Sequence, residues 1–215
     1  LPRLASVMTQ PDPRLQTLER WLGEDLGLRP ERVSVASADA SFRRYFRAHL
    51  PGGDTRIVMD APPEHEDIGP YLRVADLLRQ LGVHVPAVHA VDAARGFVLL
   101  EDLGSTPYLG ALREPGRADA LYADALEALC RIQSRGADAA ATLAPYDTAV
   151  LQREMALMPE WFAARHLGLE LSSADRGLID DACARLAAAV LEQPVVFVHR
   201  DYHSRSEEHT SELQS

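Results

Sequence analysis

The stretch V-V-F-V-H-R-D, residues 195 to 201, does most to decide the fold. Four apolar residues in a row predict a short buried strand, and three polar residues follow directly at its end. A strand end holds a side chain rigidly, and the Asp201 carboxylate is suited to accept a proton from an attacking hydroxyl group. His199 and Arg200 would then hold the loop around it. Because H-R-D is only three residues long, a chance match on a surface turn is the alternative interpretation.

The residues before this motif begin with a strand-rich half. An apolar repeat at three- and four-residue spacing behind Pro13 predicts an opening helix that ends at Gly27. Alternating apolar residues and glycine turns then predict five strands, with a helix over 72–81 between the third and the fourth. The strand candidates are Val33 to Val35, Phe42 to Phe46, Ile57 to Met59, Ala87 to Val91 and Phe97 to Glu101. Residues Asp92 to Gly96 have the composition of a hairpin turn between the last two.

A helix-rich half follows. Long helical periods cover 118–134, 148–167 and 174–192, and Ser172 with Asp175 has the spacing of a capping box before the last one. We therefore predict an α+β, two-lobed fold. Residues 8–103 form an antiparallel five-stranded N-lobe with a helix, and residues 104–204 form a mainly helical C-lobe. Residues 205–215 have no apolar period and match the translation of a common sequencing adapter, so we expect a non-native tail.

Composition narrows the class of protein. The net charge of -10 over 215 residues leaves no basic surface, which argues against nucleic acid as a partner. No window approaches the roughly 20 apolar residues of a membrane span. The two cysteines, Cys130 and Cys183, lie in helical segments and suggest a reducing compartment. We expect a cytoplasmic protein that is a monomer and does not bind a membrane.

Six ordered motifs carry a more specific signal. They are A-D-A-S-F-R-R-Y-F-R (38–47), V-M-D-A-P-P (58–63), V-H-V-P (83–86), G-F-V-L-L-E-D-L-G (96–104), R-E-M-A-L-M-P-E-W-F (153–162) and V-H-R-D-Y (198–202). In these motifs the chain resembles the aminoglycoside phosphotransferase family, which has a protein-kinase-like fold. Within that family it is most similar to the bacterial kinases that phosphorylate the anomeric hydroxyl of N-acetylmuramate and N-acetylglucosamine in cell-wall recycling. The resemblance implies ATP and Mg²⁺ as cofactors and a small amino-sugar substrate. It also implies that the C-lobe over 104–204 is incomplete and ends in the catalytic loop.

The resemblance also implies a nucleotide site. Ser41, Phe42, Arg43 and Arg44 would form the turn that covers the phosphates, since backbone N–H groups and arginine forks both favour phosphate oxygens. An ordinary hairpin with exposed arginines is the alternative. Glu101, Asp102 and Leu103 would form the hinge between the lobes, with the Glu101 carbonyl and the Leu103 N–H pairing with adenine. A merely charged strand terminus is the alternative there. Asp201 would lie at the floor of the cleft.

The substrate and metal sites are less well defined by the sequence than the nucleotide site. Arg153, Glu154, Glu160 and Trp161 lie where related kinases bring sugar-contacting groups, although helical spacing favours a core position for the tryptophan. Similar kinases continue after the catalytic loop with an asparagine and an aspartate that hold magnesium. Here position 206 is a serine, so we expect the metal ligands to lie beyond the sequence and this chain alone to be inactive. His84 and His89 lack a third ligand, so zinc is not expected.

One departure from protein kinases is clear. Their third strand carries a phosphate-binding lysine, whereas here it reads I-V-M-D over 57–60, and all 22 cationic residues are arginine. We hypothesise that Arg43 or Arg44 takes that role, because arginine binds phosphate with two parallel hydrogen bonds. Two other functions stay open: a kinase for an aminoglycoside, choline or homoserine, and a non-catalytic nucleotide-binding pseudokinase.

Overall fold

The computed structural model describes residues 12–38, 42–106 and 108–203. It divides into two compact units, the first ending at Arg117 and the second beginning at Ala118. Ser41, the first four residues of the predicted N-lobe (8–11) and the predicted tail (205–215) lie outside the described residues.

The first unit is built on one antiparallel sheet of five strands in the order β1-β2-β3-β5-β4. The strands are β1 Arg32–Ala38, β2 Arg44–His49, β3 Thr55–Asp60, β4 Val88–Asp92 and β5 Phe97–Glu101. Helix α2, Gly69–Gln80, connects β3 to β4. The predicted five-stranded antiparallel sheet with its helix is therefore confirmed.

Helix α1, Pro13–Arg20, continues as a wider π-helical segment, Trp21–Asp25, and covers one face of this sheet. Its side chains Leu18, Trp21 and Leu22 are buried against one strand face, from which Phe46, Ala48, Val58, Phe97 and Leu99 project. Full burial of a large apolar side chain contributes about 1.5–3 kcal/mol, so this cluster is a principal source of stability. Asp12 caps the helix by accepting hydrogen bonds from the backbone N–H groups of Arg14 and Leu15.

The opposite face of the sheet packs against α2 and the segment before it. Met59, Val98 and Leu100 form this second core together with Ala61 and Ile68. Because neighbouring residues of a strand point to opposite faces, Val58 belongs to the first core and Met59 to the second. Unbroken apolar runs in β3 and β5 follow from this double coverage.

The turn between β4 and β5 depends on Gly96. Its φ is +72°, and a Cβ atom there would lie 1.8 Å from the carbonyl oxygen of Ala61. The Gly96 carbonyl in turn accepts a hydrogen bond of 2.9 Å from the Ala61 N–H. Only glycine fits this close approach of two backbones, and the predicted turn is confirmed.

The second unit is helical. The last helix of the first unit is α3, Tyr108–Ala111. The second unit contains α4 Ala118–Arg135, α5 Ala137–Ala140, α6 Thr148–Leu157 and α7 Ser173–Leu191. A π-helical segment, Met158–His166, extends α6. The capping box predicted from Ser172 and Asp175 is present at the start of α7. None of the helices within the described ranges is long and apolar enough to cross a membrane.

Two expectations for the second unit are wrong. Residues 195–198 are not a strand, because no segment of the described chain pairs with them, and a strand needs a hydrogen-bonded neighbour. Trp161 is not a core residue. Its exposed fraction is 54%, and the neighbouring Met158 and Phe162 are exposed as well. The apolar spacing of this segment predicted a helix correctly but not which side would be covered.

Candidate functional site

The H-R-D loop is held to the helices of the second unit by the two residues that flank Asp201. Arg200 has a φ of +75°, which makes it the one non-glycine residue with positive φ in the part of the chain that the structure describes. Such a conformation costs about 1–3 kcal/mol and persists where surrounding contacts fix it. Here Arg200 Nη2 donates a 2.7 Å hydrogen bond to Glu154 Oε1 on α6, and its guanidinium lies 5.6 Å from the centre of the Tyr146 ring.

Tyr146 completes this cluster. Its hydroxyl donates a hydrogen bond to Glu154 Oε2, so both carboxylate oxygens of Glu154 are engaged. These bonds, first that from Tyr146 and then that from Arg200, hold the pKa of Glu154 below its ordinary value. The same Tyr146–Glu154 bond raises the pKa of the tyrosine. Glu154 is therefore ionised at neutral pH and provides a fixed anion for Arg200.

On the other side of Asp201, the Tyr202 hydroxyl donates a 2.6 Å hydrogen bond to the Ala125 carbonyl on α4. The His199 ring meets the Tyr202 ring edge-on, with centroids 5.1 Å apart. Between these anchored neighbours, the Asp201 side chain is 82% exposed, and its Oδ1 lies 3.0 Å from Nε2 of His203. The loop thus presents one carboxylate to solvent from a fixed backbone.

The nucleotide-binding candidates all belong to the first unit. Ser41 lies outside the described residues. Phe42 is exposed and stacks on His65, with ring centroids 4.4 Å apart. Arg43 donates a 3.3 Å hydrogen bond to Glu66 and lies 6.0 Å from the Tyr71 ring centre. Phe42 and Arg43 are therefore both packed against residues 65–71.

Arg44 has different surroundings, centred on Asp60. These two residues are directly opposite each other on β2 and β3, and Nε and Nη2 of Arg44 donate to Asp60 Oδ2 at 3.1 and 2.6 Å. Arg44 Nη1 also donates to Asp12. From α1, Arg14 donates to Asp60 Oδ1, its Nε at 2.8 Å. Asp60 is fully buried, with an exposed fraction of 0%.

The hinge candidates contain a second buried aspartate. The Asp102 side chain is 3% exposed and accepts two hydrogen bonds from Arg47 on β2, Nε to Oδ2 at 2.5 Å and Nη2 to Oδ1 at 3.0 Å. Burial by itself raises the pKa of Asp102, but the hydrogen bonds from Arg47, Thr55 and the Gly104 N–H outweigh it and leave the pKa lowered. Asp102 is therefore a buried ion-pair partner and not a solvated strand terminus.

These buried pairs were not predicted from the sequence. The partners of the site candidates are residues outside the predicted site: Asp60, Arg47, Arg14 and Tyr146. The available signal was an aspartate directly after the apolar strand residues 57–59, since a carboxylate next to a buried strand requires cationic partners.

The substrate candidates differ in their surroundings. Glu154 is engaged within the loop cluster, as described above. Arg153 and Glu160 are exposed, and the Trp161 ring is covered on one side by the Arg165 guanidinium at 4.0 Å from its centre. No group of three or more His, Cys, Asp or Glu residues that could hold a metal occurs within residues 12–38, 42–106 and 108–203.

Comparison with known proteins identifies the family. A sequence profile described as "Phosphotransferase enzyme family" matches residues 32–206. The N-acetylmuramate/N-acetylglucosamine kinase of Pseudomonas aeruginosa is 47% identical over 206 residues, covering 91% of this chain and 60% of the relative. The proteins of the same name from Pseudomonas putida and Neisseria meningitidis are 41% and 40% identical, covering 93% and 88% of this chain and 60% and 56% of their own lengths. The chain therefore spans about 60% of the length of these relatives.

The profile match covers most of the chain, and the identities to these relatives are 40% or more. The chain belongs to the phosphotransferase enzyme family, that of the aminoglycoside phosphotransferases.

Proposed function

We propose that this chain is part of an ATP-dependent kinase that phosphorylates the anomeric hydroxyl of an N-acetylated amino sugar, N-acetylmuramate or N-acetylglucosamine. ATP, carried as its magnesium complex, is the phosphoryl donor, and Asp201 accepts the proton of the attacking sugar hydroxyl. Family membership and the names of three relatives at 40% identity or more support this reaction. We further propose that the kinase acts in the cytoplasm, on sugars released during cell-wall recycling.

The observation that carries the proposal is the contrast within the H-R-D loop. Arg200 and Tyr202 are hydrogen-bonded to α6 and α4, whereas the carboxylate between them is open to solvent. In phosphoryl transfer the protein acts mainly by positioning and by charge stabilisation, and one carboxylate must meet the acceptor hydroxyl. A loop with this construction holds Asp201 in place for an incoming sugar. In this assignment Glu154 orients the loop and does not bind the sugar.

For the nucleotide, the geometry favours Arg43 over Arg44 as the phosphate ligand. The guanidinium of Arg44 is already occupied by two carboxylates, Asp60 and Asp12. A guanidinium held in this way cannot also present two parallel hydrogen bonds to a phosphate. Arg43 has a longer carboxylate contact, 3.3 Å to Glu66, and therefore takes the role that a lysine has in protein kinases. The Glu101 carbonyl and the Leu103 N–H bind the adenine edge.

For the acceptor, Arg153 and Trp161 are the candidates, since both are exposed on the helix that carries Glu154. A cationic side chain suits the lactyl carboxylate of N-acetylmuramate, and an exposed indole offers a flat apolar surface to a sugar ring. N-acetylglucosamine lacks that carboxylate. Loss of Arg153 is therefore expected to weaken binding of N-acetylmuramate more than that of N-acetylglucosamine.

The proposal is tested in a chimera in which residues 1–203 of this chain are followed by the remaining C-terminal segment of the Pseudomonas aeruginosa relative. The chimera is offered N-acetylmuramate, N-acetylglucosamine, an aminoglycoside, choline and homoserine with ATP, and the phosphorylated products are identified by mass spectrometry. Sugar-1-phosphate formation from the two amino sugars supports the proposal. Phosphorylation of only one of the other acceptors assigns a different substrate, and ATP binding without turnover of any of them favours a pseudokinase.

A further inference from the structure

The side chains of Arg44 and Arg47, three positions apart on β2, each form an ion pair with a buried aspartate. Arg44 shares the strand face of Phe46 and Ala48, which packs on α1, whereas Arg47 shares the opposite face with Tyr45. The two pairs, Arg44–Asp60 and Arg47–Asp102, therefore lie on opposite sides of the same strand. Neither pair was anticipated from the sequence.

The first pair fixes the start of β2. Arg44 directly follows Phe42 and Arg43, and it is held by Asp60 on the neighbouring strand and by Asp12 at the N-cap of α1. Asp60 has no exposure to water and accepts from Arg14 as well. Two carboxylates and two guanidinium groups balance in charge, and the removal of either arginine leaves the buried Asp60 with one cationic partner fewer. Arg44 thus fixes the backbone directly after Arg43, the proposed phosphate ligand.

The second pair fixes the segment after β5. Arg47 reaches across β3 to Asp102, and its Nη2 also donates a 2.7 Å hydrogen bond to the Gly104 carbonyl. The Asp102 Oδ1 accepts a 2.9 Å hydrogen bond from the Gly104 N–H, and Gly104 has a φ of +99°. Hydrogen bonds to residues 102 and 104 therefore set the backbone on both sides of Leu103, whose N–H is the proposed adenine donor.

We infer that the two pairs are separate positioning devices for the two ends of the nucleotide, Arg44–Asp60 for the phosphates and Arg47–Asp102 for the adenine. This inference rests on the proposed nucleotide site. The first unit contains no lysine, and the two arginine–aspartate pairs hold the groups that contact ATP. The four residues of the pairs do not contact the nucleotide themselves.

The two pairs make different predictions for two ligands. ATP uses both the phosphate turn and the hinge, whereas adenosine uses the hinge alone. Substitutions that weaken the Arg44–Asp60 pair should lower the affinity for ATP and leave the affinity for adenosine unchanged. Substitutions that weaken the Arg47–Asp102 pair should lower the affinity for both ligands by the same factor.

The experiment measures dissociation constants for ATP and adenosine by isothermal titration calorimetry on the chimera described above and on its variants. Arg44→Lys and Asp60→Asn test the first pair, and Arg47→Lys and Asp102→Asn the second. Arg56→Lys is the matched control, because Arg56 lies on β3 and pairs with the exposed Asp54. Lysine keeps the positive charge but cannot donate the two parallel hydrogen bonds of a guanidinium group. The Arg→Lys variants therefore still test each pair if an Asp→Asn variant fails to fold. Circular dichroism identifies the folded variants.

For folded variants of the first pair we expect the ATP dissociation constant to rise about tenfold, as for the loss of one well-placed charge-assisted hydrogen bond. The adenosine dissociation constant should stay within about twofold of that of the unsubstituted protein. For the second pair both constants should rise by about the same factor, and Arg56→Lys should change neither. Equal effects of both pairs on the two ligands, or no effect of either pair, would overturn the inference while the proposed function stands. Failure of the unsubstituted chimera to bind ATP would contradict the proposed function itself, and this inference with it.

Discussion

Arg200 and Glu154 are 46 positions apart in sequence and are joined by a 2.7 Å hydrogen bond from Nη2 to Oε1. The bond connects Arg200, whose backbone has a left-handed conformation, to helix α6. Glu154, a candidate sugar ligand by family resemblance, therefore has a structural role beside the proposed catalytic carboxylate.

The first prediction concerns this bond. Glu154→Gln in the chimera removes the negative charge that holds Arg200 and leaves the loop backbone less well fixed. We expect kcat to fall about tenfold with KM for ATP unchanged, because positioning of Asp201 is lost and nucleotide binding is not. Steady-state kinetics measures both constants.

Glu170→Gln is the control for that substitution, since Glu170 is an exposed glutamate of the same unit. It should leave both constants unchanged. A Glu154→Gln chimera with the kcat of the unsubstituted chimera would show that Arg200 keeps the loop in place without its carboxylate partner.

The second prediction distinguishes Arg43 from Arg44. Arg43→Ala should raise the ATP dissociation constant about tenfold with little change in melting temperature, because it removes a phosphate ligand. Arg44→Ala should lower the melting temperature markedly, because it leaves Asp60 buried with one cationic partner fewer. Calorimetric titration and thermal unfolding on the same samples separate the two roles, and normal ATP affinity in both variants contradicts the assignment.

The third prediction is a pH dependence of stability. The folded-state pKa of Asp102 is lowered from its ordinary value of 3.8, so its contribution to the free energy of unfolding is complete well above that value. It is lost as the pH falls through the lower folded-state pKa. Asp102→Asn should cost about 2 kcal/mol at pH 7, as for the loss of charge-assisted hydrogen bonds.

This difference between the unsubstituted chain and Asp102→Asn should stay constant from neutral pH down to about pH 5 and then shrink as the solution becomes more acidic. Urea unfolding between pH 2.5 and pH 7 measures it. A difference that grows toward acid pH would have the wrong sign.

The fourth prediction concerns Gly96. Gly96→Ala places a methyl group against the Ala61 carbonyl, so we expect a loss of about 3 kcal/mol or more in the free energy of unfolding, part from the clash and part from the positive φ. Gly53→Ala is the control. Its φ is also positive, at +88°, but nothing lies within 4 Å of the added Cβ, so it should cost only about 1–2 kcal/mol. Equal losses in urea unfolding would show that the close approach is relieved by a small shift.

The first unit could be predicted well because its signals are local. Alternating apolar residues and glycine turns fix strands and hairpins, and the apolar runs of β3 and β5 reflect helices on both faces of the sheet. The predicted hairpin at Asp92 to Gly96 and the capping box at Ser172 are present for the same reason, since each depends on a few adjacent residues.

Other features could not be read from the sequence because they depend on distant partners. The apolar run 195–198 predicted a strand, yet a strand requires a neighbour that sequence does not reveal. The chain has 22 cationic residues, and nothing in their spacing shows that Arg44 and Arg47 choose Asp60 and Asp102. Trp161 was assigned to the core from its spacing, which gives the helix period but not what covers each face.

The role of Asp201 as the base that accepts the sugar hydroxyl proton is decided by Asp201→Asn in the chimera. The substitution keeps the size of the side chain and removes its basicity. We predict that the rate of sugar-1-phosphate formation falls by about 10²–10⁴-fold, the usual contribution of a positioned general base, while the ATP dissociation constant stays within about twofold. A variant that retains a rate within about tenfold of the unsubstituted chimera would contradict the assignment of Asp201.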